Sequence, residues 1–458
     1  MLGPGRRRFA TEAKSPLGKV FGRIVSTPQS LLVASSAMAM TTLGVILIMS
    51  IMQKSRTPGT APMAALETVD RDILSLDQHT YTEGDLPFFN ESVSDYRGRI
   101  AEKVANPRPG TIFVAISSFR DNFCQDTLKS MFAMAKDPTR VFVGVVDQMK
   151  PWSEPLGVNE TLDMPCESKL EYERQKQVRL VRLHCKSSRG PTHARYISSK
   201  LWDGEEVFLQ IDAHAKFLQN WDQELLANIA AMPEPTRAIL SHYPAPEAKD
   251  LGKSVRQWNC KVTTEWAPPG LLYQIPDWCR KENMAEGVAL DENGEKTTCY
   301  SPFIGAGFLA GRSRMLYDAP FDRYLPYLFH GEEILIGARL WTSGWDLFTP
   351  RMNLVTHLYG ERRHNVYAET PNWDIPARLS EARARMILSS RVPADDEINE
   401  KIDRSELEAL GMGTARSLDE YLQYAGVDWS TTPPTLTSRC SMQYDGQQWH
   451  AVPTSDPA

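Results

Sequence analysis

Between Thr111 and Tyr243 the chain alternates short, uncharged apolar runs with polar stretches whose apolar residues fall at helical spacing. Thr111-Ile112-Phe113-Val114-Ala115-Ile116 is a continuous run of the kind expected for a strand covered on both faces. Polar Ser117-Ser118-Phe119-Arg120-Asp121 follows, and then Leu128, Met131, Phe132 and Ala135 mark one face of a helix. Val141-Phe142-Val143-Gly144-Val145-Val146 is a second buried run, ending in Asp147-Gln148. Strand, helix and strand in that order predict a βαβ unit, with parallel strands and a right-handed crossover. The run from Val178 to Leu183 alternates, as an edge or one-sided strand does. A helix from about Thr192 to Leu201 leads to the strand Val207-Phe208-Leu209-Gln210-Ile211, followed by a helix over 222–232 and a strand over 238–242. The pattern predicts an α/β fold: an open, mostly parallel sheet flanked by helices, with ligands beyond the carboxyl ends of its strands.

A different pattern stands at the N-terminus. Leu31 to Met52 contains no charged residue, and a helix of that length spans about 33 Å, enough to cross a bilayer core. Arg6, Arg7, Arg8, Lys14, Lys19 and Arg23 precede it against a single acid, Glu12, which by the positive-inside rule keeps that end cytosolic. The expected organisation is a basic tail (1–30), a transmembrane signal anchor (31–52), a stem (53–107), the sheet domain (108–385) and a polar C-terminal extension (386–458). A cleaved signal peptide is the competing reading, since Ala34-Ser35-Ser36-Ala37-Met38-Ala39 is rich in small residues. The run is long for that and begins late. A single-pass type II protein of the Golgi or ER membrane, with its body in the lumen, accords with the sequons Asn90-Glu91-Ser92 and Asn159-Glu160-Thr161.

Composition changes little. With 458 residues, 42% hydrophobic and 24% charged, the chain has room for one large domain and its attachments. A formal charge of −6 argues against a nucleic-acid partner. The 7 cysteines include no C-x-x-C pair, which argues against structural zinc. Cys260, Cys279 and Cys299 cluster in one region, and an odd total leaves at least one cysteine without an intramolecular mate.

The chemistry concentrates at strand ends. In Gln210-Ile211-Asp212-Ala213-His214 an apolar strand delivers an Asp to the sheet edge, with an imidazole two residues on. Positions i and i+2 of extended backbone point the same way, so Asp212 and His214 can converge on one divalent ion such as Mn²⁺. His357, after the apolar Leu354-Val355, stands at another expected strand end and is a candidate third ligand. Gly190-Pro191-Thr192 turns into a helix flanked by Arg189 and Arg195, a setting that favours phosphate. Gly331-Glu332-Glu333 opens an amphipathic helix, where paired acids also serve as dipole partners.

Taken in order, IFVAISSFRD, DPTRVFVGVVDQ, RGPTHARY, GEEVFLQIDAHAKFLQNWD, IGAGFLAG, GEEILIGARLWTSGWDLFTP and THLYGER resemble the GlcNAc-transferase family typified by the Skp1 hydroxyproline N-acetylglucosaminyltransferase. That family is related to the mucin-type polypeptide GalNAc-transferases. The resemblance runs from about Ile112 to Gly360. It implies a GT-A fold, a UDP-sugar donor and a divalent metal held by Asp212, His214 and His357, with Asp212 also serving the diphosphate. It places Ser118, Arg120 and Asp121 by the uridine and Arg189 and Arg195 near the donor. Glu332 and Glu333 would face the donor sugar and acceptor as the catalytic pair, and Gly305, Ala306, Gly307 and Trp341 would shape the acceptor side. It further implies retention at the anomeric carbon.

Two functions of different kind follow. The first is a UDP-sugar-dependent, metal-dependent glycosyltransferase moving a sugar, GlcNAc, to a hydroxyl of a protein or glycan in the secretory pathway. The alternative is a non-catalytic, membrane-anchored carbohydrate-binding protein on a transferase-like fold. A metal-dependent hydrolase finds no pair of acids at a recognisable separation to support it.

Overall fold

The computed structural model describes residue 88 and residues 90 to 451, except 159, 256, 279–298, 361–362, 391–395, 441 and 445–447. The expected cytosolic tail, the anchor at 31–52 and most of the stem lie outside the described residues. Among the described residues no helix is long and apolar enough to cross a membrane. The chain divides into two units, Met1–Pro58 and Gly59–Ala458, and every described residue belongs to the second.

The elements that place the site are, in chain order, α1 (Val93–Ala105), β1 (Arg108–Phe119), α2 (Cys124–Met134), β2 (Val141–Met149), β3 (Val178–His184), α3 (Pro191–Lys200), β4 (Glu205–Asp212), α4 (Trp221–Ala230), β5 (Ala238–Ser241), β6 (Gln257–Thr263), β7 (Tyr273–Trp278), β8 (Phe308–Arg312), α5 (Glu332–Thr342), β9 (Asp346–Phe348), α6 (Asp374–Ile387) and α7 (Leu418–Ala425). Seven strands form one sheet in the order β3-β2-β1-β4-β8-β5-β9. It is mostly parallel, with β3 at its edge as the alternation predicts. β8 runs antiparallel between β4 and β5, which makes the sheet mixed.

Alternate residues of β1 serve opposite layers. Ile112, Val114 and Ile116 pack with Leu128, Met131 and Phe132 of α2 and with Trp221 and Leu225 of α4. Phe113 and Ala115 pack on the other face with Ile197 of α3, Leu340 of α5, and Tyr96 and Ile100 of α1. Burial on both faces is why the strand reads as an unbroken apolar run.

Two boundaries shift. Val93, Tyr96 and Ile100 of α1 are buried, so the end of the expected stem is part of the body. The stretch after 385, expected to be a polar extension, is likewise built in. Its helix α7 opens on a Ser417–Glu420 capping box and buries Tyr421 and Tyr424 against Leu335 and Trp341 of α5. A disulfide joins Cys440 to Cys260 of β6 across 180 residues. A second disulfide joins Cys124 to Cys166, Cys299 is also disulfide-bonded, and Cys185 is a buried free thiol.

Candidate metal and donor site

β4 ends at Asp212, and the backbone turn after it is fixed by a hydroxyl. Thr127 Oγ1 of α2 donates toward the carbonyls of Ala213 (2.8 Å) and Ala215 (3.1 Å). The segment around His357 is pinned alongside without becoming the expected strand. It makes only isolated bridges, Phe217 with Val355 and Ala245 with Thr356, plus backbone bonds from His357 N to Ala245 O (3.0 Å) and from Leu358 N to His214 O (3.2 Å). These contacts bring together three side chains from distant parts of the sequence. His357 Nε2 lies 2.9 Å from Asp212 Oδ2 and 2.9 Å from His214 Nε2, and the ligand atoms of all three lie within 4.8 Å of one another.

His214 is aimed by a fourth residue. Its Nδ1 is 2.7 Å from Asp121 Oδ2. An ionised carboxylate only accepts, so Nδ1 carries the proton and Nε2 turns its lone pair to the centre of the group. A ligating imidazole backed by a carboxylate is the usual arrangement around metals. Gly307 borders the group, since a Cβ there would stand 3.5 Å from Asp212 Oδ2 and 3.8 Å from His357 Cδ2.

Charge next to the group comes from α3. Its first turn starts at Gly190, with φ +84 and so little clearance that a Cβ would come within 2.8 Å of Tyr327 Cα. Glycine is therefore required there. One turn on, Arg195 Nη2 donates to Asp212 Oδ1 (3.1 Å) while Nη1 bonds Glu332. Burial opposes ionisation of Asp212, but the His357 contact and the Arg195 charge outweigh it and hold the carboxyl well below its ordinary range. For Glu332 burial wins over Arg195, and its carboxyl is raised.

Glu333, the next residue on α5, faces a different set of donors. Ala306 N bonds its Oε1 (2.7 Å), while Tyr243 Oη (2.5 Å) and Gln274 Nε2 (2.9 Å) donate to its Oε2. Burial pushes it up to about 7 in spite of these bonds. Gly305 allows the same loop to approach the sheet, because a Cβ there would meet His242 O at 2.9 Å. Gly305, Ala306 and Gly307 thus link Glu333 to the triad.

Other candidates stand differently. Ser118 is buried at the end of β1, its carbonyl accepting from Gln148 Nε2 (3.1 Å). Arg120, at φ 49, lines a cleft of about 500 Å³ with Phe119, Lys150 and Glu154, beyond the carboxyl ends of β1 and β2. Its guanidinium is held by Asp163 (2.8 Å), Glu369 (2.7 Å) and Glu160, so it shapes the cleft as part of an ion-pair cluster. Asp121, expected by the uridine, turns instead toward His214. Arg189 is exposed before α3, its carbonyl accepting from Tyr327 N (2.6 Å). Trp341 is a correction. It sits in the last turn of α5, at the far end from Glu332, stacked on Tyr424 at 5.3 Å with the Arg416 guanidinium 4.0 Å from its ring. That position is core, and it leaves Trp341 no acceptor side to shape.

Sequence reasoning passed over Tyr243, Gln274 and Tyr359. Tyr359 had a signal, since it follows His357 by two residues and its ring centroid lies 4.2 Å from the imidazole. Tyr243, just after β5, and Gln274 of β7 reach Glu333 from separate segments and carry none.

Among solved structures the chain is similar to GalNAc-T7 with UDP, GalNAc and Mn²⁺, at 14% identity over 68% of this chain and 56% of that one, with a TM-score of 0.41. It is also similar to S. aureus TarS 1-349 with UDP-GlcNAc (12% identity, 65% and 73% covered, TM-score 0.34). A third is the mannosyltransferase PcManGT from Pyrobaculum calidifontis with GDP-Man and Mn²⁺ (14%, 69% and 79%, TM-score 0.32). The chain thus spans little more than half the length of the GalNAc-T7 chain. No curated protein matches it. The family described as Glycosyltransferase (GlcNAc) matches residues 111–167 and 156–431, a stretch that includes Asp121, the triad, Arg195 and both glutamates. Over most of its length, then, and through every residue that builds this site, the chain belongs to the GlcNAc glycosyltransferase family.

Proposed function

We propose that this protein transfers a sugar, GlcNAc, from a UDP-sugar to a hydroxyl of a protein or glycan, with retention at the anomeric carbon and a GT-A-type active site. The single observation that carries this is the convergence of Asp212, His214 and His357 beside Arg195. One carboxylate and two imidazoles are a donor set suited to Mn²⁺ or a similar ion, and the Asp121 contact leaves His214 Nε2 available to it. When bound there, such an ion supplies positive charge against which the diphosphate of a departing UDP is stabilised.

The chain's own groups prepare that step. Arg195 keeps Asp212 ionised and adds a fixed positive charge, and Glu332 anchors Arg195. The cleft beyond β1 and β2 joins the triad through Arg120-Asp121 and takes the nucleoside. Glu333, steadied by Tyr243 and Ala306, positions the donor sugar and the incoming hydroxyl. The family description supports GlcNAc as the sugar. Residues 31–52 would anchor the enzyme as a type II protein of the Golgi or ER membrane, with this site in the lumen.

The test is UDP release by the full chain in detergent from a panel of UDP-sugars with Mn²⁺. Turnover of UDP-GlcNAc, lost in a folded Asp212→Asn variant, is the expected result. Saccharide binding with no turnover of any UDP-sugar would overturn the reading in favour of a carbohydrate-binding protein.

A further inference from the structure

Aromatic rings stand beside the triad and, as a second group, around Tyr273 of β7. Tyr359 packs on His357, anchors its hydroxyl to Pro244 O (2.8 Å) and leaves 46% of its surface exposed. Tyr273 of β7 lies near enough to Glu333 that this charge adds to burial in raising its phenol. From Tyr273 the rings continue edge to face. Trp266 lies 5.7 Å away at 89° and His330 5.4 Å away at 61°, and Phe329 lies 5.0 Å from His330 at 81°. Trp266 is 51% exposed and Phe329 57%.

Nothing in folding asks for this exposure. Trp266 sits at φ +70, in the left-handed region that a bulky residue avoids, within the loop joining β6 to β7. The loop is held in place. Glu265 N bonds Thr263 Oγ1 (3.0 Å), Arg385 Nη1 bonds Pro269 O (3.0 Å), and β6 is stapled by Cys260–Cys440. A rigid loop that strains its backbone to present an indole marks a binding surface.

The chemistry of the rings selects the partner. Trp266 and Tyr273 each combine an apolar ring face with one polar atom, His330 adds a ring with two nitrogens, and burial keeps His330 below its ordinary value and so uncharged at neutral pH. The rings therefore offer flat apolar faces and scattered hydrogen-bonding edges without formal charge. A saccharide offers the complement, with flat C–H faces rimmed by hydroxyls.

We infer that Trp266, Tyr273, His330 and Phe329 form the acceptor subsite and that the acceptor is a glycan, stacked on these rings with one hydroxyl directed toward Glu333. The inference rests on the transferase reading, and the experiment separates the two. The full chain in detergent is supplied with Mn²⁺ and whichever UDP-sugar it hydrolyses. It is then offered neutral di- to tetrasaccharides with gluco-, galacto- or manno-configured ends, and serine- and threonine-containing peptides. Transfer to a saccharide is expected. Trp266→Ala should raise that saccharide's KM about tenfold, leaving the donor KM and acceptor-free hydrolysis unchanged, and Trp266→Phe should recover most of the loss. Transfer to peptides alone, hydrolysis with no transfer to any saccharide, or an unchanged KM in Trp266→Ala would overturn the inference. Absence of hydrolysis with every UDP-sugar would instead sink the transferase reading on which it rests.

Discussion

Asp121 stands behind His214, its Oδ2 2.7 Å from the ring Nδ1, although 93 residues separate them and Asp121 lies two residues beyond the end of β1. The contact fixes the ring's tautomer and turns Nε2 toward Asp212 and His357. Asp121 is thus a positioning residue for His214.

Replacing Asp121 should therefore weaken the metal without removing a ligand. Asp121→Asn is expected to lower Mn²⁺ affinity about 10–100-fold, the usual cost of losing a carboxylate behind a ligating histidine. Mn²⁺ activation curves at fixed UDP-sugar check this, with excess Mn²⁺ restoring activity. Equal curves for the two proteins would contradict it.

Arg195 bonds both Asp212 and Glu332, and Glu332 is buried. Arg195→Met removes the cation, leaving Glu332 without its ion-pair partner and Asp212 with His357 alone. Urea unfolding should show a loss of about 3–5 kcal/mol, the range for breaking a buried ion pair from one side. Adding Glu332→Gln should return part of it, because the buried group left without its cation is then uncharged. A double variant no more stable than Arg195→Met would count against the pairing.

Glu333 titrates at about 7 in the folded protein against an ordinary value of 4.5. A carboxyl raised on folding contributes stability that is complete below its unfolded value and is lost as pH rises through the folded one. Stability should fall between about pH 4.5 and 7, with this group contributing a slope of at most about 1.4 kcal/mol per pH unit. Asp147, buried and raised to about 7, acts in the same direction. Thermal melts of Glu333→Gln should show a shallower decline over that window than the wild type, and parallel curves would refute the assignment.

Cys440 ties the C-terminal region to β6, and α7 fills the core beside α5. Cys440→Ser is expected to cost about 2–4 kcal/mol and to lower the melting temperature. Differential scanning of the two proteins under non-reducing conditions checks it.

What the sequence made legible followed from strong local patterns. The unbroken apolar runs of β1, β2 and β4 located the centre of the sheet, because residues buried on both faces leave no polar alternation. Asp212 and His214 were readable because extended backbone sends i and i+2 to one side. β8 escaped because Phe308–Arg312 is short, and nothing local sets the direction in which a strand inserts between two others. Trp341 was misplaced although its helix gave warning. Ile334, Ala338 and Trp341 follow the spacing of one helix face, and that face is the core. The partners of Asp121 and Glu333 had no local signal, since each is decided by loops meeting over long separations.

Mn²⁺ binding followed by electron paramagnetic resonance, with UDP present, tests the central claim most directly. The wild-type protein should bind one Mn²⁺ per chain, and folded His357→Ala and Asp212→Asn variants should each bind it at least 100-fold more weakly. Undiminished binding by both variants would show that these three side chains do not hold the ion.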